Sequence, residues 1–276
     1  MPHLQSADGT DLYFRLDDFS DPWSPAATVV FLHGLAESGD AWRAWVPHFA
    51  RTMRVVRPDV RGFGKSAPLT TQSDWSIPAL VGDLAQLAAT LEAPRFHLVG
   101  AKFGGTLAMA FAARHPQMVA SLSIVSAPAS LQASLGSALP GWAELVRERG
   151  VREWAASTMG PRLGSRTPAQ AVQWWTDMMG RTAQSTMLKV FENLAQVDVT
   201  PVLKDIECPT LVMTTTQSRL GSVDAIASWQ RLIPNSRLAV VESDSYHLAA
   251  SQPDECAATV MEFIRLASAA QGTRKP

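Results

Sequence analysis

Short apolar runs rich in β-branched residues alternate along this chain with longer stretches whose apolar positions recur every three or four residues. Residues 28–32, 53–57, 96–99 and 119–125 read as buried strands, and 210–214 and 237–241 as further strands. Asp8-Gly9, set between two short apolar segments, reads as a hairpin turn. Between the second and third long runs, Ile77, Leu80, Val81, Leu84, Leu87, Ala88 and Leu91 fall on one face of a helix. Val260, Phe263, Ile264 and Ala267 do the same for a last helix over 254–268. This alternation predicts an α/β fold, with a mostly parallel central sheet and helices on both of its faces.

Residues 127–205 break the rhythm, showing helical periodicity and turn signals but no good strand. They predict a helical cap inserted into a core made of 1–126 and 206–276. Four of the nine Trp lie in it, Trp142, Trp154, Trp174 and Trp175, together with Met159, Met178, Met179 and Met187. These side chains serve either as packing between cap helices or as an apolar roof over a cleft, and the two roles are compatible.

With 276 residues, 46% hydrophobic and 18% charged, the chain is long and apolar enough to bury a core and is far from the disordered regime. The 24 Lys and Arg balance 25 Asp and Glu, and like charges gather only at Arg274 and Lys275, so nucleic acid and anionic membranes are not expected partners. Two cysteines, Cys208 and Cys256, exclude a disulfide framework and leave structural zinc without ligands. His3, His33, His48, His97 and His115 lack metal-ligand spacing, so no metal is expected. The first residues show no basic stretch followed by an apolar run, and no apolar window spans a bilayer, which predicts a cytoplasmic protein.

Four local signatures follow one another at the ends of predicted strands. They are His33-Gly34-Leu35, the run from Asp59 through Arg61 and Gly64 to Ser66, Gly100-Ala101-Lys102-Phe103-Gly104-Gly105, and Ser245-Tyr246-His247-Leu248. In this order, with a cap in the usual place, they resemble the α/β-hydrolase fold, in particular its capped enol-lactonases, C–C bond hydrolases and small esterases. The resemblance covers nearly the whole chain. It implies a sharp strand-to-helix elbow at Lys102, with glycines where neighbouring backbone leaves no room for a Cβ. It also implies an oxyanion hole from the backbone N–H groups of Leu35 and Phe103, and a structural turn at Asp59–Ser66.

The sequence departs from that pattern at the chemistry. The elbow, where Ser, Asp or Cys is expected, carries Lys102. The acid segment after the strand at 210–214 reads Thr215-Thr216-Gln217-Ser218, and the alternative after 119–125, Ser126-Ala127-Pro128-Ala129-Ser130, has no carboxylate either. Only His247 remains of the triad, so the Ser-His-Asp acyl-enzyme route is excluded. Burial and the positive end of the helix would lower the Lys102 pKa, and as a neutral amine it could form an imine and drive decarboxylation or C–C cleavage as a lyase. As a cation it could polarise a carbonyl while His247 activates water. Glu37 is a candidate partner for Lys102, in which case a close ionised pair would raise the lysine pKa; it equally could replace the missing acid, with Ser218 in a supporting place. The remaining reading is a small-ligand-binding protein without turnover. The expected activity is hydrolysis of a lactone, ester or activated C–C bond in a small carbonyl substrate by Lys102 and His247. No cofactor is required, and self-association into a homo-oligomer stays open.

Overall fold

A computed structural model describes residues 3–272, so the basic pair Arg274 and Lys275 lies outside the described residues. Strands β1 (His3–Gln5) and β2 (Asp11–Asp17) form the antiparallel hairpin around Asp8-Gly9, where Gly9 adopts a φ of 81°. The six apolar runs all become strands: β3 (Ala27–Leu32), β4 (Met53–Pro58), β5 (Phe96–Ala101), β6 (Val119–Val125), β7 (Thr210–Thr215) and β8 (Ser236–Val241). These six are mutually parallel, and the hairpin joins antiparallel through β2 and β4, giving the order β1-β2-β4-β3-β5-β6-β7-β8. Every residue of β5 and β7 is buried, because helices cover both faces of a parallel sheet, which is why apolar residues follow one another here rather than alternating, with His97, Thr210, Thr214 and Thr215 buried among them.

The core helices are α1 (Val46–Phe49), α2 (Ile77–Thr90) and α3 (Phe103–Arg114). Ser76 caps α2 by accepting the Ala79 N–H, and the helix buries the predicted face of Leu80, Val81, Leu84, Leu87 and Ala88. Four helices fill the stretch between β6 and β7: α4 (Leu131–Leu135), α5 (Leu139–Leu163), α6 (Ala169–Gly180) and α7 (Gln184–Leu194). After β7 come α8 (Val223–Gln230), α9 (Leu248–Ser251) and α10 (Pro253–Gly272).

The inserted helix α5 bends at Gly150, with φ 83°, and packs against α6 and α7. Trp154 is fully buried there, edge-on to Trp142 at 5.7 Å and to Phe191 at 5.5 Å, so these two tryptophans do hold the inserted helices together. Among the described residues, no helix is long and apolar enough to cross a membrane.

Candidate active site

The turn from β5 into α3 leaves one residue between strand and helix, and that residue is Lys102, at φ 55° and ψ −125°. A non-glycine side chain in this region is strained, and the strain is held by its surroundings. The Lys102 N–H donates to the Val125 carbonyl at 3.2 Å, and its own carbonyl accepts from Gly105 at 2.9 Å. A Cβ on Gly104 would overlap the Leu32 carbonyl oxygen, and one on Gly100 would overlap that of Gly104. The glycines therefore let α3 press against the strand ends and aim Lys102 over the end of the sheet.

Lys102 is 6% exposed, and its Nζ donates to Glu37 Oε1 at 2.8 Å. Glu37 stands in the loop after β3, 1% exposed, with its other oxygen accepting the Gly34 N–H at 2.9 Å. The same Oε1 lies 3.1 Å from His247 Nε2, a contact whose angles fall short of a hydrogen bond. One carboxylate thus touches both residues between which its role was divided. The opposite ring nitrogen, His247 Nδ1, is buried without a hydrogen-bond partner among the described residues.

Burial sets the protonation states. It brings the Lys102 pKa down to about 8, with help from the nearby Arg162 guanidinium and against the opposing pull of Glu37. Of the two opposed expectations, lowering by burial and raising by a close Glu37, the first prevails, because loss of solvation outweighs the ion pair. Burial also pushes against ionisation of Glu37, but Lys102 and His247 outweigh it and hold the carboxyl well below its ordinary range. His247 is lowered to about 4 by burial first, with Glu37 opposing and Lys102 and Arg162 adding to the effect. At pH 7 the cluster is an ammonium, a carboxylate and a neutral imidazole.

The cap closes over this cluster. Trp175 of α6 meets the His247 ring edge-on at 4.9 Å between centroids. The Tyr246 ring has Lys102 Nζ 5.9 Å away and the Arg162 guanidinium 5.7 Å away. The Arg162 carbonyl accepts from Ser245 Oγ at 2.6 Å and from the His247 N–H at 2.9 Å, so the end of α5 is latched to the histidine loop. A cavity of about 30 Å³ remains between Leu35, Lys102, Phe103, Trp142, Arg162 and Tyr246, room for about one water. The N–H groups of Leu35 and Phe103 flank it without an acceptor among the described residues. On the other side of Glu37 a cavity of about 240 Å³ opens toward Ser38, Lys65 and Arg181.

The remaining candidates have other partners. Ser218 Oγ accepts the Leu220 N–H at 3.1 Å, and the structure does not bring it to Lys102 or His247 among the contacts of the described residues. Asp59 ties the Gly39 N–H at 2.6 Å and the Lys65 N–H at 2.7 Å, while Arg61 binds Asp8 and Asp83, so this run fixes a turn beside the site. His33 Nε2 accepts the Val60 N–H at 2.9 Å, which makes it a structural tautomer. Among the described residues, no three His, Cys, Asp or Glu side chains are grouped to hold a metal.

Sequence reading did not single out Arg162, and saw Trp175 only as a cap aromatic. Nothing in the local sequence marks Arg162, which occupies an ordinary helix end; only the approach of α5 to the histidine loop reveals it.

Residues 27–252 match a family model described as alpha/beta hydrolase fold. A protein assigned as the carbamate hydrolase RutD of Rhizobium rhizogenes is 23% identical over 262 residues, 93% of this chain and 99% of that protein. Epoxide hydrolase 3 of Xenopus tropicalis is 35% identical over 130 residues, 45% of this chain; the match spans only 35% of that longer protein. Among solved structures, an enol-lactonase from Burkholderia xenovorans superposes with a TM-score of 0.86 at 21% identity, covering 96% of this chain and all 100% of that one. A thermophilic esterase from Thermogutta terrifontis superposes with 0.83 at 22% identity, covering 97% and 99%. At these identities the superpositions speak to fold alone.

Proposed function

The chain belongs to the α/β-hydrolase fold family, and we propose that it hydrolyses a small activated carbonyl compound, a lactone, an ester or an activated C–C bond, without a covalent acyl-enzyme. The observation that carries this reading is Lys102 Nζ at the elbow, bound to Glu37 Oε1 at 2.8 Å. An acyl group passed to this lysine would become an amide, more stable than the ester it came from, and turnover would stop. The side chain is better suited to electrostatic work. Its ammonium, with the free N–H groups of Leu35 and Phe103, forms a set of donors around a carbonyl oxygen where negative charge develops.

Water then attacks the carbonyl carbon, giving its proton to His247, and the imidazolium returns that proton to the leaving oxygen or carbon. Glu37, 3.1 Å from His247 Nε2, stabilises the imidazolium in place of the usual acid. A resting imidazole lowered to about 4 is a weak base, which favours substrates with reactive carbonyls or good leaving groups. Similarity to proteins named for carbamate and epoxide hydrolysis supports hydrolysis without choosing the bond cleaved.

A second reading has one observation in its favour. With its pKa brought down to about 8, Lys102 is neutral in roughly a tenth of molecules at pH 7, enough to form an imine reversibly with a ketone or aldehyde. The test is a panel of small lactones and 4-nitrophenyl esters assayed with the unchanged protein, Lys102→Met and His247→Gln. Loss of one preorganised donor is expected to lower kcat about 100-fold or more in Lys102→Met, with no burst of nitrophenol in the unchanged protein. Undiminished turnover by Lys102→Met overturns the reading. Mass added at Lys102 by borohydride with methyl acetoacetate transfers support to the imine, and a bound small molecule recovered chemically unchanged supports a binding protein.

A further inference from the structure

Two groups of a kind that ordinarily holds an anion face one small cavity at the elbow. Arg162 is 4% exposed, yet among the described residues it makes no ion pair, and its Nε donates to Thr158 Oγ1 at 3.1 Å, one helical turn back. The rest of the guanidinium meets the ring faces of Trp154 at 5.2 Å and Tyr246 at 5.7 Å. Arg57 and Arg61, buried as deeply, each bind carboxylates: Arg57 that of Asp17 at 2.7 Å, Arg61 those of Asp8 and Asp83. Removing a guanidinium from water costs several kcal/mol that ring faces alone do not return. The second group is the N-terminus of α3, whose first N–H, that of Phe103, lacks an acceptor among the described residues, as does the N–H of Leu35. Leu35, Phe103 and Arg162 line the same cavity as Lys102.

At about 30 Å³ that cavity excludes an organic acid. A carboxyl group built on the lysine itself needs much less room than a free ligand, because its carbon lies within bonding distance of Nζ. Lys102 has the chemistry for it. Burial brings its pKa down to about 8, so a fraction of molecules carries an uncharged amine at neutral pH. The amine nitrogen is tied to Glu37 Oε1 at 2.8 Å, a hydrogen bond that one remaining N–H can keep while two new oxygens turn toward Arg162.

We propose that Lys102 is a carboxylation site, its amine adding carbon dioxide to form a carbamate whose oxygens are held by the Arg162 guanidinium and the N–H groups of Leu35 and Phe103. The ammonium first gives one proton to water. The nitrogen lone pair then forms an N–C bond to carbon dioxide as one C=O electron pair moves onto oxygen, and a second proton leaves the nitrogen for His247. Before these steps Lys102 and Arg162 set two positive charges against the one negative charge of Glu37. Afterwards Arg162 and the imidazolium, whose Nε2 is 3.1 Å from Glu37, face Glu37 and the carbamate, two cations against two anions. The site does not depend on the hydrolytic reading. Its consequence for turnover does: carboxylation removes the elbow ammonium, so carbon dioxide becomes a reversible inhibitor of the proposed hydrolysis.

The test equilibrates the full chain at pH 8 with carbon-13 bicarbonate, reads the carbon-13 NMR spectrum, then fixes the carbamate as its methyl ester with trimethyloxonium and locates it by peptide mass spectrometry. A carbamate resonance and added mass on Lys102 are expected in the unchanged protein, and neither in Lys102→Met. At subsaturating bicarbonate Arg162→Gln is expected to lower occupancy about 10-fold or more, the worth of one charge-assisted hydrogen bond, and Arg162→Lys to lower it less. An unlabelled Lys102 in the unchanged protein at saturating bicarbonate overturns the proposal. So does label confined to exposed amines such as Lys65, or occupancy that is equal in a folded Arg162→Gln. Should Arg162→Gln fail to fold, the unchanged protein and Lys102→Met still decide. A labelled Lys102 with no ester hydrolysed in any variant keeps the carboxylation site and removes the hydrolytic reading, whereas hydrolysis with an unlabelled Lys102 does the reverse.

Discussion

Replacing Glu37 by Gln leaves the shape of the loop after β3 and removes the one carboxylate that touches both Lys102 and His247. Gln can still accept the Gly34 N–H, so the change isolates charge. The Lys102 ammonium, 6% exposed, then has two courses. It stays protonated and unpaired, at a cost of about 3–5 kcal/mol for a broken buried pair. Or it gives up its proton, which at pH 7 costs about 1.4 kcal/mol from a folded pKa of about 8, so the loss is bounded near that figure. Urea unfolding of the unchanged protein, Glu37→Gln, Lys102→Met and the double variant at pH 7 closes the cycle. Glu37→Gln is expected to lose about 1–2 kcal/mol, because the lysine gives up its proton readily, and the double variant less than the sum of the singles, with a coupling of at least about 1 kcal/mol. The Glu37→Gln penalty is also expected to shrink as pH rises toward 8, where the lysine of the unchanged protein loses its proton as well, and to level off above that value. Additivity within about 0.5 kcal/mol would refute the bridging role of Glu37.

Gly104→Ala forces a Cβ into the Leu32 carbonyl, and a loss of about 3 kcal/mol in urea unfolding is expected; a loss below about 1 kcal/mol would contradict the close approach of α3 to β3. His247, lowered to about 4 in the fold, is protonated in the unfolded chain first as pH falls below about 6.5, so its contribution to stability is present above that value and is lost between 6.5 and 4. Over that window the unchanged protein is expected to lose about 3 kcal/mol more than His247→Gln, and parallel pH curves would show an exposed imidazole.

The strands were legible because a sheet covered on both faces favours short runs rich in consecutive apolar residues, and each of those runs is a strand within one or two residues, the half-exposed edge strand β8 included. The elbow was legible for a similarly local reason, since Gly100, Gly104 and Gly105 are demanded by backbone contacts within a few residues of the turn. Glu37 was singled out as a partner for either Lys102 or His247, but sequence distance gives no angle or reach, and the contact with both depends on how three strand ends line up. The direction of the Lys102 shift stayed open for a physical reason: burial lowers it and a close Glu37 raises it, and the residues alone do not say how completely the inserted helices remove water. Arg162 and the placement of Trp175 on His247 were invisible, because both arise from α5 and α6 folding back over a loop more than 65 residues away in sequence.

The elbow lysine is a buried ammonium held by Glu37 and poised to lose its proton close to neutral pH. The pH titration of the Lys102 ε-methylene and Nζ signals, assigned by their absence in Lys102→Met, measures this directly. A midpoint near 8 that moves lower in Glu37→Gln is expected. A midpoint at 10.5 or above, unchanged by Glu37→Gln, would mean a solvated or purely structural lysine and would contradict the account.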